Sequence, residues 1–370
     1  MDINFLQRFG LKDAKKLFKQ GSVLGVDMGS SSIKAVQLRS ERERAVLETY
    51  GELSLSKYGN AEMGKSVKVL EAKLTEALKD LLRESQISAK SAYVSVPLRN
   101  SFLTTFEVPE LADEELKSSV PFEARKYIPI PLSEVVLDWW VLPPRSQEVA
   151  TASIGAPKRK FTPILLAAVP RDIISKYEMI FKDAGIEVAA YEIEVFALAR
   201  ATLRHDLGTL MLIDFGASAT KMIIVDAGAV RLSHSIDRGS SEFTYALSQA
   251  MGVDFERAEI LKRNNGIIHR PESEGIASIL EPLVEYIANE GERFLLSWKR
   301  RGGKEISRVI VGGGGALLKG LEDIFVKRFG VEVSVANPFS KLIYPAFLEP
   351  TLKEIGPSFT NAVGAALRGF

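Results

Sequence analysis

Two stretches of the chain share one pattern of apolar and polar positions. Residues 23–38 read VLGVDMGSSSIKAVQL and residues 210–225 read LMLIDFGASATKMIIV. Each is an apolar run, then Asp-x-Gly, then three small residues. A lysine follows seven positions after the aspartate, and a second apolar run closes the pattern. This predicts strand, tight turn and strand, written once in each half of the chain. Small turn residues let a backbone come close to a ligand, and consecutive N–H groups in such a turn face an anion. An aspartate at the strand end holds a cation or a water. One copy alone reads equally well as a plain β-hairpin; two copies facing each other would clamp a metal-bound polyphosphate.

The rest of the patterning fills in around these hairpins. Residues 22–58 alternate as a three-strand meander, followed by an amphipathic helix over about 65–84 and a buried strand over 92–96. Residues 98–186 read as a separate small α/β unit. It has strands over 101–108, 135–142 and 164–169, helices over 112–126 and 171–184, and an exposed loop over 143–163. A strand over 187–194 and a helix over 195–204 lead into the second hairpin, whose meander runs to Ile236. Helices are expected over 241–251, 255–263 and 277–300. A strand over 307–311 then runs into Gly312–Gly315 and a helical pattern over 316–329. Strand, glycine run and helix bring backbone amides and a helix N-terminus together, a seat for a nucleotide. A short strand over 331–335 and a small-residue helix over 359–367 end the chain.

Composition narrows the chemistry. At 370 residues, with 46% hydrophobic and 26% charged positions, the chain is long enough for two or three domains and ordinary for a globular protein. Lys+Arg 48 against Asp+Glu 47 leaves no basic excess to suggest nucleic acid. The absence of cysteine excludes disulfides, thiolate metal sites and thiol catalysis, and fits a reducing compartment. Three histidines, His205, His234 and His269, argue against a histidine-based zinc site. No apolar stretch approaches the roughly 20 residues of a membrane span. Residues 1–21 form a basic amphipathic stretch, suited to packing on the chain itself, on a partner helix or on a membrane surface.

Asp27-x-Gly29, Asp214-x-Gly216 and the strand before Gly312–Gly315 stand in an order that resembles the actin-like ATPase superfamily. There the two turns are phosphate loops and the glycine run is the adenosine loop. Within it the chain resembles the PilM family of type IV pilus assembly. The hairpin motifs, EARKYIPIPLSEVVLDW in the insert, VIVGGGGALLKGL and the ending EIGPSFTNAVGAALRGF carry that resemblance. It implies an α/β, actin-like ATPase fold: duplicated ribonuclease H-like lobes around a nucleotide cleft, with a small inserted α/β subdomain of the FtsA and PilM type. The first lobe would take 22–97, 187–205 and 337–370; the second would take 206–240, a helical part over 241–304, and 305–336. The insert would span 98–186.

The resemblance also implies roles. ATP and Mg²⁺ would be the cofactors, with Asp27 and Asp214 serving the metal and its waters. Gly29, Ser30, Ser31, Ser32, Gly216, Ala217 and Ser218 would present N–H groups to phosphates, and Lys34 would contact phosphate. Lys221 shares the spacing but is expected at the surface. Glu259 and Lys262, one helical turn apart, resemble a ribose-holding pair and equally suit an exposed ion pair. Gly313 and Gly314 would abut adenine and phosphate, with the helix bearing Phe294 passing the adenine. Glu192 and Glu194 lie in the connector between lobes; Glu192 with Asp214 would orient the attacking water, and Glu192 equally suits a hinge.

The implied partner is the N-terminal cytoplasmic tail of a PilN-like single-span membrane protein. It would be gripped near Glu123, Arg125, Tyr127 and Asp138, with other pilus platform proteins nearby. The expected function is an ATP-binding adaptor at the cytoplasmic face of the inner membrane, with at most weak turnover. The alternatives are an FtsA-like polymerising ATPase and a phosphotransferase of the sugar-kinase type.

Overall fold

A computed structural model describes residues 21–59, 62, 64–66, 69–143, 161–203 and 208–370. The N-terminal amphipathic stretch and most of the expected 143–163 loop lie outside them. The first hairpin pairs β1 (Ser22–Met28) with β2 (Ser32–Glu41), and β3 (Arg44–Ser54) continues the antiparallel meander. Strands β4 (Ser91–Val96) and β8 (Glu187–Ile193) add to β1 in parallel, giving the order β3-β2-β1-β4-β8. The second hairpin pairs β9 (Leu210–Phe215) with β10 (Thr220–Asp226). Strands β11 (Ala229–Ile236), β12 (Arg308–Gly312) and β13 (Glu332–Val335) complete the order β11-β10-β9-β12-β13, with the same mixture of antiparallel and parallel pairs. The internal repeat in the sequence is therefore a repeat of whole sheets.

Strands β9 and β10 are buried along their full length, as near-continuous apolar runs require. Their side-chain alternation divides them between two cores. Leu210, Leu212, Ile223 and Val225 join the first lobe's core, while Met211, Ile213, Met222 and Ile224 join a second core under the helical subdomain. The two lobes thus share apolar packing directly beneath the cleft.

Helices cover the sheets: α1 (Glu71–Glu84), α2 (Asp113–Ala124), α3 (Arg171–Asp183), α4 (Glu194–Thr202), α5 (Ser240–Met251), α6 (Phe255–Asn265), α7 (Glu274–Arg300), α8 (Leu321–Phe329), α9 (Glu349–Ile355) and α10 (Thr360–Ala366). Helix α10 packs between β1 and α4. Its small residues permit this: a Cβ on Gly364 would lie 2.0 Å from the Ala197 carbonyl oxygen.

The inserted unit is a three-stranded antiparallel sheet in the order β5 (Phe102–Pro109), β7 (Phe161–Pro170), β6 (Val135–Val141). On β7, Ile164, Leu166 and Ala168 face the insert's own core with α2, whereas Leu165, Ala167 and Val169 face the first lobe. Helix α3, expected to belong to the insert, packs on α1 and buries Ile174, Tyr177, Ile180 and Phe181 in the first lobe's core. It is the crossover helix that parallel strands β4 and β8 require. The insert proper therefore ends near Pro170, not at residue 186. The helix expected over 316–329 is also divided. Residues Gly314–Leu317 form a 3₁₀ turn, and α8 begins only after Gly320, whose φ of +87° no helix accommodates.

Candidate functional site

The register of each hairpin sets the aspartate opposite the lysine: Asp27 against Lys34 and Asp214 against Lys221. Both aspartates end a central strand, and the turns that follow face one cavity of about 730 Å³ between the lobes. That cavity is lined by Gly29–Ser32 on one side, by Gly216–Ser218 on the other, and by Gly313 and Gly314. The structure thus brings together all the expected phosphate-facing and glycine-run residues, with Lys34, Glu259 and Lys262.

The second turn is braced from behind. Gly216 N–H donates to the Ala219 carbonyl at 3.0 Å, while Ser240 and Ser241 N–H at the start of α5 donate to the Gly216 and Ala217 carbonyls at 2.9 and 3.0 Å. The Gly216 and Ala217 carbonyls are thereby occupied. The glycine run is equally constrained: Gly313 N–H donates to the Pro357 carbonyl at 2.7 Å.

Charges in the cleft form two groups. At the mouth, Lys262 sits 2.7 Å from Glu259 and also donates to Thr244 Oγ1 at 2.7 Å and to the Ser240 carbonyl at 3.0 Å. Both residues are buried, not exposed at the surface. Burial works to raise the Glu259 carboxyl, but Lys262, Thr244 and Arg263 outweigh it and hold it below its ordinary value. Ser241 Oγ donates to the Gly64 carbonyl at 2.7 Å, so a first-lobe segment reaches across to this group.

On the floor, Lys221 bridges Asp214 Oδ2 and Glu194 Oε2, each at 3.1 Å. Glu194 Oε1 accepts the Leu98 N–H at 2.8 Å. The expectation of a surface position for Lys221 is therefore reversed, because the cross-strand partner of a buried aspartate is buried with it. Burial opposes its charge, yet Asp214 and Glu194 hold its pKa above the usual lysine value. Asn361 on α10 donates Nδ2–H to Asp214 Oδ2 at 3.3 Å, and its buried Oδ1 has no donor.

Burial pushes the Asp27 carboxyl up to about 7 against the pull of Lys34, and Glu194 and Asp214 add to the rise. The native chain then binds this proton more tightly than the unfolded chain, whose value is near 3.8. The stability this contributes is complete at low pH and is lost as pH rises through 7. The ligand-free protein should lose about 1.4 kcal/mol between pH 6 and 8 from this group. Urea melts should show that loss, and Asp27→Asn should remove it; an unchanged slope in the variant would refute the assignment.

Two expectations are corrected. Glu192 does not face the cleft: Arg200 grips both its oxygens at 2.7 and 2.8 Å, with Arg368 3.8 Å away. Glu194, at the first position of α4, is the connector carboxylate that reaches the cavity. Phe294 is buried in the second lobe's core, stacked on His234 at 5.8 Å, and does not line the cavity.

The expected partner residues do not form one cluster. Arg125 lies over exposed Phe122, Glu123 pairs with Lys126 at 2.5 Å, and half-exposed Tyr127 stacks on Phe106 at 4.9 Å. Asp138 is buried on β6, opposite Ala167, on the sheet face that meets the first lobe.

No helix among the described residues is long and apolar enough to cross a membrane. A family model described as type IV pilus assembly protein PilM matches residues 25–370. Among solved structures, the chain is similar to the PilM-PilN type IV pilus biogenesis complex, with 24% identity, 94% of this chain and 98% of that chain covered, and a TM-score of 0.75. It is also similar to the ethanolamine utilization protein EutJ from Carboxydothermus hydrogenoformans, with 16% identity, 94% and 90% covered, and a TM-score of 0.54. MreB 5 of Spiroplasma citri bound to AMPPNP matches with 12% identity, 94% and 96% covered, and a TM-score of 0.53. These likenesses bear out the actin-like ATPase fold. With the match running over nearly its whole length, the chain belongs to the family of the type IV pilus assembly protein PilM.

Proposed function

We propose that this chain is an ATP-binding adaptor of a type IV pilus assembly platform. It works at the cytoplasmic face of the inner membrane and captures the N-terminal tail of a PilN-like protein. The observation that carries the nucleotide half is the meeting of both Asp-x-Gly turns and the glycine run in one cavity. Gly29–Ser32 and Gly216–Ser218 would present N–H groups to the phosphates, Lys34 would add charge, and Glu259 with Lys262 would hold the sugar. The residues also fit a magnesium ion. Asn361 Oδ1 is a buried acceptor without a donor, and Asp27 and Asp214 line the same cavity. Among the described residues no cluster of three or more Asp, Glu, His or Cys is set to hold an ion. A magnesium ion here would therefore rest mainly on water and phosphate oxygens, as that ion commonly does. Bound, it would neutralise phosphate charge.

The tail-binding half rests on family membership and on the exposed aromatic and charged end of α2 around Phe122, Arg125 and Tyr127. A polar surface with aromatic anchors suits a short peptide. Residues 1–21 would add contact with the membrane surface. The test is calorimetric titration with Mg·ATP, and separately with the tail peptide of the PilN-like protein made by the same cell. One ATP and one peptide per chain are expected. Arg125→Ala with Tyr127→Ala should weaken the peptide about tenfold or more and leave ATP binding intact. Absence of heat with millimolar Mg·ATP would sink the nucleotide assignment; absence of peptide binding alone would sink the adaptor assignment.

A further inference from the structure

Most basic side chains that line the cleft cavity are already held by a carboxylate. Lys34 pairs with Glu52 at 3.0 Å, and Lys221 lies 3.1 Å from both Asp214 and Glu194. Lys262 and Arg263 share Glu259 at 2.7 and 2.6 Å, and Lys176 stands 3.9 Å from Glu71. Arg99 lines the same cavity, and its guanidinium has neither an ion pair nor a hydrogen bond among the described residues. Its backbone, by contrast, is fixed. Arg99 lies on the 3₁₀ turn Leu98–Asn100, just past the end of β4. Strand β4 runs parallel to β1 with Ser95 opposite Asp27, so the turn emerges beside the first hairpin. Leu98 N–H donates to Glu194 Oε1 at 2.8 Å, and Asn100 and Ser101 N–H donate to the Pro97 and Leu98 carbonyls at 3.0 and 2.9 Å. Burial raises the Tyr177 hydroxyl above its ordinary value; Asp27 and Glu194 add to that rise, and Arg99 works against it. The guanidinium therefore acts on the same part of the cleft as those two carboxylates.

We propose that Arg99 recognises the terminal phosphate, so that the cleft holds a magnesium nucleoside triphosphate more tightly than the diphosphate. This rests on the nucleotide-binding reading above and specifies which phosphate state the site selects. The cavity gives the ligand a direction. A nucleotide whose sugar sits against Glu259 and Lys262 of the second lobe runs its phosphates between the two turns. Its last phosphate then points to the first lobe, where Pro97, Arg99 and Asn100 form the wall. Charge favours Arg99 there. Asp214 and Glu194 outnumber the Lys221 between them, and Glu52 matches Lys34, so the floor of the site is net negative. A triphosphate also carries more negative charge than one magnesium ion offsets, so a further cation is needed where the γ-phosphate arrives. A lysine would have to give up a buried carboxylate to supply it, whereas Arg99 gives up nothing. Its planar fork meets two phosphate oxygens at once, adding to the metal without replacing it. A diphosphate ends short of that wall and forgoes the contact. Arg99 is thus a specificity residue for the nucleotide state.

The test is calorimetric titration of the full chain with AMPPNP and with ADP, each in excess Mg²⁺. AMPPNP keeps a terminal phosphoryl group and resists hydrolysis, so turnover does not blur the comparison. The native protein should hold AMPPNP about tenfold or more tighter than ADP, the effect of one charge-assisted bidentate contact. Arg99→Ala should abolish that preference by weakening AMPPNP about tenfold while ADP keeps its native affinity. Arg99→Lys keeps the charge without the fork and should fall between the two. Arg99 is exposed, so both variants should fold as the native chain does. A native protein that holds AMPPNP no more tightly than ADP overturns the proposal, whether or not any variant folds. So does Arg99→Ala with the native preference, or with an equal loss for both nucleotides. Failure of the native protein to bind either nucleotide defeats nucleotide binding itself, a separate outcome from binding both alike.

Discussion

Glu192→Ala should cost about 3 kcal/mol of folding stability and leave nucleotide affinity at its native value. The Glu192 side chain is fully buried, and its two oxygens close a bidentate pair with Arg200 at 2.7 and 2.8 Å. Arg368 stands 3.8 Å away at 11% exposure. Removing the carboxylate takes away the anion that the Arg200 and Arg368 guanidinium groups share. Arg200 Nη1 also donates to the Gly364 carbonyl at 2.8 Å, so its guanidinium is tied to α10 and has little freedom to swing out. The loss of a buried partner is therefore felt almost in full. Glu192→Gln keeps two polar atoms in place and should cost less. Urea denaturation measures the stability change, and calorimetry with Mg·ATP measures the affinity. A variant that is as stable as the native chain but blind to ATP would return Glu192 to the cleft and contradict this geometry.

That result would also mark where sequence pattern stops being informative. The aspartates, the turns and the glycine run are local motifs, and each lands on the cavity because a strand end and the turn after it are placed by the same few residues. Glu192 and Glu194 are different. Two residues apart on a strand, they would share a face. The chain instead turns into α4 at Glu194, so one carboxylate enters the cleft and the other turns to Arg200. The pattern sets the strand over 187–194, one residue past its end at Ile193, and that one residue is the carboxylate that leaves the strand. Lys221 was legible only through register: seven residues after Asp214 across a tight turn, it must be the aspartate's cross-strand partner, and a buried partner follows from a buried strand. Asn361 had no signal at all, because it reaches Asp214 from a helix 147 positions away in the chain. Helix α3 was assigned to the wrong layer for a related reason. Its apolar face fits any core, and only the need to connect parallel β4 and β8 assigns it to the first lobe. The ion pair of Glu259 and Lys262 shows the same limit from the other side. Its spacing was visible, but the burial that makes it a wall of the cleft depends on α5 and on the segment at Gly64.

The glycine run offers the sharpest contrast between neighbouring positions, because adjacent residues there meet opposite constraints. Gly313 has φ +82°, a conformation L side chains rarely adopt, and a Cβ would lie 2.5 Å from Asp214 Oδ1 and 2.5 Å from the Phe215 carbonyl oxygen. Neither neighbour can yield cheaply. Phe215 O is backbone at the end of β9, and Asp214 is held by Lys221 and Asn361. Gly313→Ala should therefore destabilise the chain by about 2–4 kcal/mol and displace Asp214 from its place in the cleft. Nucleotide affinity should fall by about a hundredfold or more, since a small misplacement at a preorganised site is expensive. At Gly314, by contrast, φ is not positive and a Cβ would meet nothing within 4 Å. Gly314→Ala should change stability by no more than about 0.5 kcal/mol. Thermal melts of the two variants, each followed by titration with Mg·ATP, make the comparison on one protein with one methyl group moved by one residue. If both alanine variants melt together with the native chain, the close approach of the glycine run to Asp214 is absent in solution. The cleft would then lack the wall that the glycine run sets against the end of β9.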